Sequence, residues 1–464
     1  MNTLMLAIRN LLRNRRRSLT TILTMVVGLT AILLFGGYRS NILYGSLTGF
    51  VQYTGHLQIQ HKGYFIDGGD NPTAYGIRDY QQIIQTLKDD PALKDQLFLM
   101  TPNLRLGGLA GNFSAGVSRS VLAEGLVPAE RNAMMQWNQY GVKSYALPIP
   151  LEGKGNDAVV VGTGVARKLK LCSLLSENDC IPAVSKAKQD AGQVPDDIAA
   201  LSMAEGEQKP VIPASENRIE VLAATAGGAP NVASLNVIKA NNMGIKALDD
   251  VYMAMHLEQA QRLIYGNQPG QVTAIMIQLQ KTEQVAAAQA RITELLKQKF
   301  PQQELDVLDY DTLNPMYRQT NQFMDSMFSF IAMLIAVIVL FTIGNTMGTA
   351  VVERTNEIGT LRAIGLRRSG IRRLFLCEAL LLGVIGSVLG AVSALILAYM
   401  INHSGWTWNP PGYSYAYLIL VRVGQDIPLL AGSVLSMIAV TLLSAWLPAN
   451  RAAKFEIVDA LRHV

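Results

Sequence analysis

Glu353–Arg373 reads ERTNEIGTLRAIGLRRSGIRR, and long apolar runs flank it on both sides. Six arginines and two glutamates sit in this stretch. Ile358, Leu361 and Ile364 recur at helical spacing, which predicts a short helix with one apolar and one charged face. Basic charge between two apolar segments belongs at the cytoplasmic face of a membrane. The stretch is too short for a domain and too regular for a linker. It reads as a handle for a cytoplasmic partner, residues 353–373.

The flanking runs set the fold class. Residues 326–352 precede the handle and 374–401 follow it, and each is long enough to cross a hydrocarbon core of about 30 Å. Residues 18–38 form a further span near the N-terminus, and 427–447 a fourth. The expected architecture is an α-helical membrane protein with four transmembrane helices. A large α+β extracytoplasmic domain, residues 39–325, lies between helices 1 and 2. Ahead of the first span, residues 1–17 read as an amphipathic helix with Leu4, Ile8, Leu11 and Leu12 on one face, suited to the headgroup layer. Arg15, Arg16 and Arg17 then hold the N-terminus in the cytoplasm. Residues 402–426 read as an exterior loop whose Trp406, Trp408, Tyr413, Tyr415 and Tyr417 anchor at the interface. Residues 448–464 form a cytoplasmic tail.

Composition agrees with this division. Half of the 464 residues are apolar, and the net charge is +5. Residues 39–325 carry 25 basic and 29 acidic groups, a net of −4, so the remainder carries +9. The basic excess hugs the membrane. Basic and aromatic residues do not interleave in the soluble part, which argues against a nucleic-acid partner.

Inside 39–325, short alternating or β-rich runs at 56–60, 158–161, 219–223 and 274–279 predict strands. Helical patterns cover 81–87, 256–264 and 283–300. The glycines Gly162 and Gly164 read as turn formers. Cys172 to Asn217, rich in Lys, Asp, Glu, Ala and Pro, reads as an insertion that Cys172 and Cys180 could pin as a disulfide. In the third span, Glu378 is the only acidic residue inside any span. It lies within two turns of Arg372 and Arg373, where it can pair or snorkel. Gly383, Gly386 and Gly390 fall near one helix face and permit close helix approach.

No segment carries GxxxxGK[ST], and no catalytic triad or metal-ligand spacing is visible. The chain therefore reads as a non-catalytic membrane subunit without a cofactor of its own, ATP and Mg being bound elsewhere.

The handle also carries a resemblance. Glu353-Arg354-x-x-Glu357-Ile358-Gly359-x-Leu361-Arg362-Ala363-x-Gly365 resembles the coupling-helix signature of the MacB/LolCDE/FtsX permeases, the mechanotransmission (type VII) ABC systems. Three weaker matches accompany it. Val159–Ala166 is similar to the strand-to-helix step of the MacB-type periplasmic core. Glu378 with its spaced glycines resembles the third span. Pro448–Ala453 with Ala460–Arg462 resembles the family's tail, although Ile457 stands where many relatives carry proline.

The resemblance implies that the nine quoted handle residues couple to a cytoplasmic ABC ATPase. It also implies an inner-membrane location, a second permease copy (homodimer or sister-subunit heterodimer), and a periplasmic adaptor or chaperone. The layout is most similar to the stand-alone LolC/LolE-like permeases. The implied function is to transmit ATPase motion to the periplasmic domain, extracting or exporting a lipoprotein, lipid-like or amphiphilic substrate. An FtsX-like regulator of a cell-wall hydrolase is the alternative. The topology predicts that protease added to spheroplasts cleaves within 172–217; protection until the membrane is breached would invert it.

Overall fold

The computed structural model describes residues 3–69, 71–175 and 217–455. The chain opens with α1 (Thr3–Arg13) and the 40-residue α2 (Arg15–Thr54). A mixed segment follows: β1 (Leu57–His61), α3 (Tyr80–Lys88), β2 (Leu97–Asn112), β3 (Val117–Leu126), α4 (Pro128–Met134), β4 (Ala158–Gly162) and α5 (Thr163–Lys168). It continues with β5 (Arg218–Ala224), β6 (Pro230–Asn241), β7 (Tyr252–His256), α6 (Leu257–Tyr265), β8 (Ala274–Leu279), α7 (Val285–Lys299) and β9 (Leu305–Asp309). The remaining helices are α8 (Pro315–Glu353), α9 (Thr355–Ala363), α10 (Arg368–His403) and α11 (Ile427–Lys454).

Two compact units result. One holds the chain up to Ser46, Met316–Trp408 and the part from Tyr417 onward; the other holds Leu47–Pro315 and Asn409–Ala416. In the first unit α2, α8, α10 and α11 are, among the described residues, the four helices long and apolar enough to cross a membrane. Their bounds exceed the spans read from hydropathy. α2 runs 40 residues and α8 runs 39, about 60 Å each at 1.5 Å per residue. Hydropathy marks only the apolar part of such a helix, while backbone hydrogen bonds carry it on through polar sequence. Likewise α11 continues to Lys454 through Pro448, beyond the expected end at 447.

In the second unit the described strands form one nine-stranded sheet, ordered β3-β7-β4-β6-β5-β2-β8-β1-β9. An additional β2–β3 pairing closes the first six strands on themselves. Parallel pairs occur at β3–β7 and β4–β6; the others are antiparallel. Both faces are covered at β4, β7 and β8, whereas β5 and β6 leave one face open. In β4, Val159 and Val161 face the main core with Leu104, Met253, Ile277 and Ile292, while Ala158 and Val160 face a second cluster with Ile149, Leu151 and Tyr252. Alternation of side chains across the pleat explains the division.

All four expected strand regions are strands. The long β2 is hidden in the sequence because Pro102, Gly107, Gly108 and Gly111 interrupt its alternation. Gly162 and Gly164 are not turn formers. A Cβ at Gly162 would lie 2.2 Å from the Asp249 carbonyl oxygen, and one at Gly164 2.2 Å from Asp250 Oδ1. They are glycines because another segment passes too close for a side chain. Cys180 and residues 176–216 of the expected insertion lie outside the described residues. Cys172 begins a short 3-10 turn.

The loop after α10 also departs from expectation. Ser414 N donates to the Gly244 carbonyl at 2.8 Å, Lys246 N to the Gly412 carbonyl at 3.1 Å, and Tyr415 stacks on Tyr145 at 5.5 Å. Tyr413 and Tyr415 therefore belong to the sheet unit rather than to a lipid interface. Hydropathy cannot separate the two roles, since a tyrosine suits either. Trp406 and Trp408 remain exposed.

The end of α2 is bonded into this unit. Gly55, at φ +77, turns the chain from α2 into β1, and its Cβ position lies 2.7 Å from the Ile277 carbonyl oxygen. Gln278 Nε2 donates to the carbonyls of Val51 at 3.1 Å and Met134 at 2.9 Å. Gln52 Nε2 donates to the carbonyls of Met135 and Trp137. β9, which leads towards α8, pairs directly with β1.

His56 sits at this junction, fully buried, with Nδ1 accepting from Leu279 N at 3.0 Å. Burial pushes its pKa down to about 3. The folded state thus binds no proton there while the unfolded chain does so below about pH 6.5. Stability is fully present above that pH and falls by about 1.4 kcal/mol per unit as pH drops towards 3. Thermal melts of the detergent-solubilised chain should therefore show a lower midpoint at pH 5 than at pH 7, with a smaller drop in His56→Gln.

Candidate functional site

The handle forms α9 as expected. α8 ends at Glu353, Arg354 breaks the helix with φ −107 and ψ 17, and α9 begins at Thr355. It stops at Gly365, whose φ of +104 is a conformation that side chains rarely adopt. Leu366 N then donates to the Leu361 carbonyl at 3.0 Å, closing the C-terminus.

The faces of α9 are not those the spacing suggested. Ile358 and Gly359 are buried and Leu361 is half-buried, but Ile364 is 80% exposed. It falls one residue beyond the helix, where periodicity no longer governs direction. The outward face is Asn356, Thr360, Ala363 and Ile364, at intervals of four, seven and eight residues. Of these the sequence reading singled out Ala363 for coupling and placed Ile364 on the apolar face; it passed over Asn356 and Thr360, whose short polar side chains give no signal of their own.

Arg354 turns inward. Its Nη1 donates to Glu378 Oε1 at 3.0 Å and Oε2 at 3.2 Å, and its Nη2 donates to the Asn10 carbonyl at 3.3 Å. Asn10 Nδ2 donates to Glu378 Oε1 at 2.5 Å. Arg354 and Glu378 are both nearly excluded from solvent. Glu378 therefore pairs with Arg354 rather than with Arg372 or Arg373. Those two lie on the same helix close to Glu378 in sequence, whereas Arg354 reaches it only because α9 folds back, which sequence distance conceals. Arg372 instead reaches Asn450 on α11.

Two exposed pairs flank this network. Arg13 Nη2 lies 2.6 Å from Glu357 Oε2, and Arg17 pairs with Glu353. The two arginines are four residues apart, as are the two glutamates, so the pairs form a matched ladder. That matching was the available signal for a contact the sequence reading missed. An exposed pair such as Arg13–Glu357 contributes at most about 1 kcal/mol. The buried network carries more, since removing one partner strands a charge at a cost of about 3–5 kcal/mol. α1 is thus held by Ala7 and Asn10, both buried, while Ile8 and Leu12 on the expected apolar face stay exposed. Arg362 closes the far end by donating to the Phe455 carbonyl.

The glycines of α10 serve two neighbours. A Cβ at Gly386 would lie 2.9 Å from Met25 and one at Gly390 3.0 Å from Leu29, both on α2; one at Gly383 would lie 3.4 Å from Thr441 on α11. Thr30 Oγ1 donates to the Gly390 carbonyl at 3.2 Å. Cys377, on the same helix, is a free thiol.

The site thus lies among four long apolar helices, with the charged α9 between α8 and α10. Residues 326–457 match the FtsX-like permease C-terminal family. The macrolide export ATP-binding/permease protein MacB of Bordetella avium is 30% identical over 191 residues, 40% of this chain and 27% of that protein. MacB of Acinetobacter baylyi is 28% identical over 221 residues, 48% of this chain and 31% of that protein. The chain thus matches less than a third of the length of these relatives. The extracellular domain of the noncanonic ABC-type transporter YknZ from Gram-positive bacteria aligns with a TM-score of 0.28 and 13% identity, over 55% of this chain and 99% of that one. The chain is thus similar to permeases of the MacB/FtsX type over its C-terminal part.

Glu378→Ala should lower the melting midpoint of the purified chain well below that of Glu357→Ala, and Glu378→Gln should fall between the two. Equal midpoints would show that the buried pair holds nothing in place.

Proposed function

We propose that the chain is the permease subunit of an ABC transporter and that α9 is the coupling helix gripped by a separate cytoplasmic ATPase, which binds ATP and Mg. The observation that carries this reading is the geometry of α9. Its inner face is fixed by Arg354, Ile358 and Gly359, and its outer face leaves Asn356, Thr360, Ala363 and Ile364 open to a partner. A surface helix fixed on one side moves as a body when pushed on the other.

Motion then passes along α8 and α2. Both are helices of about 60 Å, and a helix resists compression because its backbone bonds are satisfied internally. They enter and leave the sheet unit through the paired strands β1 and β9, so a displacement reaches the sheet at a single edge. The sheet unit, placed outside the cytoplasm, acts on a lipoprotein, lipid-like or other amphiphilic substrate. In this reading nothing threads the membrane helices, whose only internal carboxylate, Glu378, is committed to Arg354. α8 leaves Phe330, Met333 and Phe341 exposed, an apolar face that supports a second permease copy beside it. The alternative reading is an FtsX-like regulator of a cell-wall hydrolase, with the same lever and a different load.

Glu357→Lys, which repels Arg13, and Gly359→Pro, which breaks α9, should each abolish the stimulation of the ABC ATPase that copurifies with the chain. Membrane insertion should be unchanged in both. Undiminished stimulation would remove α9 from the coupling role.

A further inference from the structure

α1 is joined to the coupling helix but presents a second face that, among the described residues, nothing in its own unit covers. Met5, Ile8 and Leu12 are 75%, 44% and 60% exposed, at helical spacing. The exposed Leu19, Leu23 and Val27 continue this stripe along α2, the part of the chain that would face hydrocarbon. Arg9, Arg15 and Arg16 stand exposed beside the stripe, while Arg13 and Arg17 are engaged by Glu357 and Glu353. An apolar stripe flanked by guanidinium groups, continuous with a membrane span, is complementary to an anionic bilayer surface. The apolar side chains enter among the acyl chains, and the arginines meet phosphate oxygens.

We propose that α1 binds the anionic phospholipid surface of the inner leaflet and thereby braces the coupling helix. Lipid holds α1 through Ile8, Leu12 and Arg9, and the start of α2 through Arg15 and Arg16. α1 in turn holds α9 through Arg13–Glu357 and through Asn10, which bonds Glu378 beside Arg354. The two exposed ion pairs are too weak to immobilise a free helix. They become effective once α1 is already seated, because its ordering entropy has then been met by the membrane. The coupling helix is therefore stiffer over an anionic membrane than over a neutral one. This inference names a regulation of the handle and rests on the coupling reading only for its consequence.

The test is amide hydrogen exchange of the full chain in nanodiscs of phosphatidylcholine, with and without a third of phosphatidylglycerol. Phosphatidylglycerol should slow exchange of residues 3–13 by about tenfold, slow residues 355–363 along with them, and lose both effects at high salt. Ile8→Ser/Leu12→Ser keeps every charge, and so the insertion signal, yet should abolish the lipid effect on both segments. Arg13→Gln/Arg17→Gln should retain the effect on 3–13 and weaken it on 355–363, where the Asn10 bonds remain. Equal exchange of 3–13 in the two lipids would leave the arginines as orientation signals alone and overturn the proposal, as would lipid protection of α1 with no change in α9. The readout uses no nucleotide, so an error in the coupling reading would appear in the ATPase assay and leave this result standing.

Discussion

One buried charge pair fixes the handle. Arg354 and Glu378 come from segments separated by the whole of α9, and Asn10 comes from a third part of the chain. A carboxylate and a guanidinium removed from water are stable only together and only with their remaining hydrogen bonds met. Asn10 meets part of that requirement twice, through its amide and through its carbonyl. The pair therefore does more than hold two helices together. It allows a single arrangement of α1, α9 and α10, because any other leaves a charge buried alone. Apolar packing by itself tolerates small shifts; a charge network of this kind is a register.

The glycines act on the same helix for the opposite reason. Gly386 and Gly390 let α2 approach α10 closely enough for Met25 and Leu29 to fill the space a side chain would occupy, and Thr30 to reach the Gly390 carbonyl. Inside a membrane the hydrophobic effect does not drive such contact, so close van der Waals packing and an interhelical hydrogen bond must supply it. Glu378 sets the register of α10 near the handle, and the glycines keep that register along α2. A push on α9 thus meets a stiff assembly instead of a loose bundle.

Much of this was legible in the sequence, and the limits were physical. Membrane helices announce themselves because lipid demands long apolar runs, and β4 and β8 because strands covered on both faces read as continuous apolar sequence. The handle was legible because charge between two apolar runs has few explanations. The partner of Glu378 was not, since periodicity relates residues on one element and Arg354 approaches from another. β2 was obscured by the proline and glycines its course requires, and Gly162 by a neighbour, Asp249, distant in sequence. Tyr415 was misjudged because an aromatic ring suits a lipid interface and a protein surface equally well.

In the proposed transmission, the paired strands β1 and β9 are where the two long helices meet the sheet. Two long helices attached at opposite edges of a sheet would pull it in two directions and twist it. Attached through neighbouring, antiparallel strands, they act on it as one shaft. The α2 end is also clamped sideways, by Gln278 and Gln52 on carbonyls of the α2–α4 region and by Arg131 on the Tyr53 carbonyl. The two Gln278 bonds are buried, and a buried bond broken without replacement costs the full desolvation of its groups. These bonds fix the last turn of α2 to the sheet within the sheet unit. In the proposed lever, a charge network at one end of α2 and side-chain hydrogen bonds to backbone at the other are what would make the helix a transmitter and not merely an anchor.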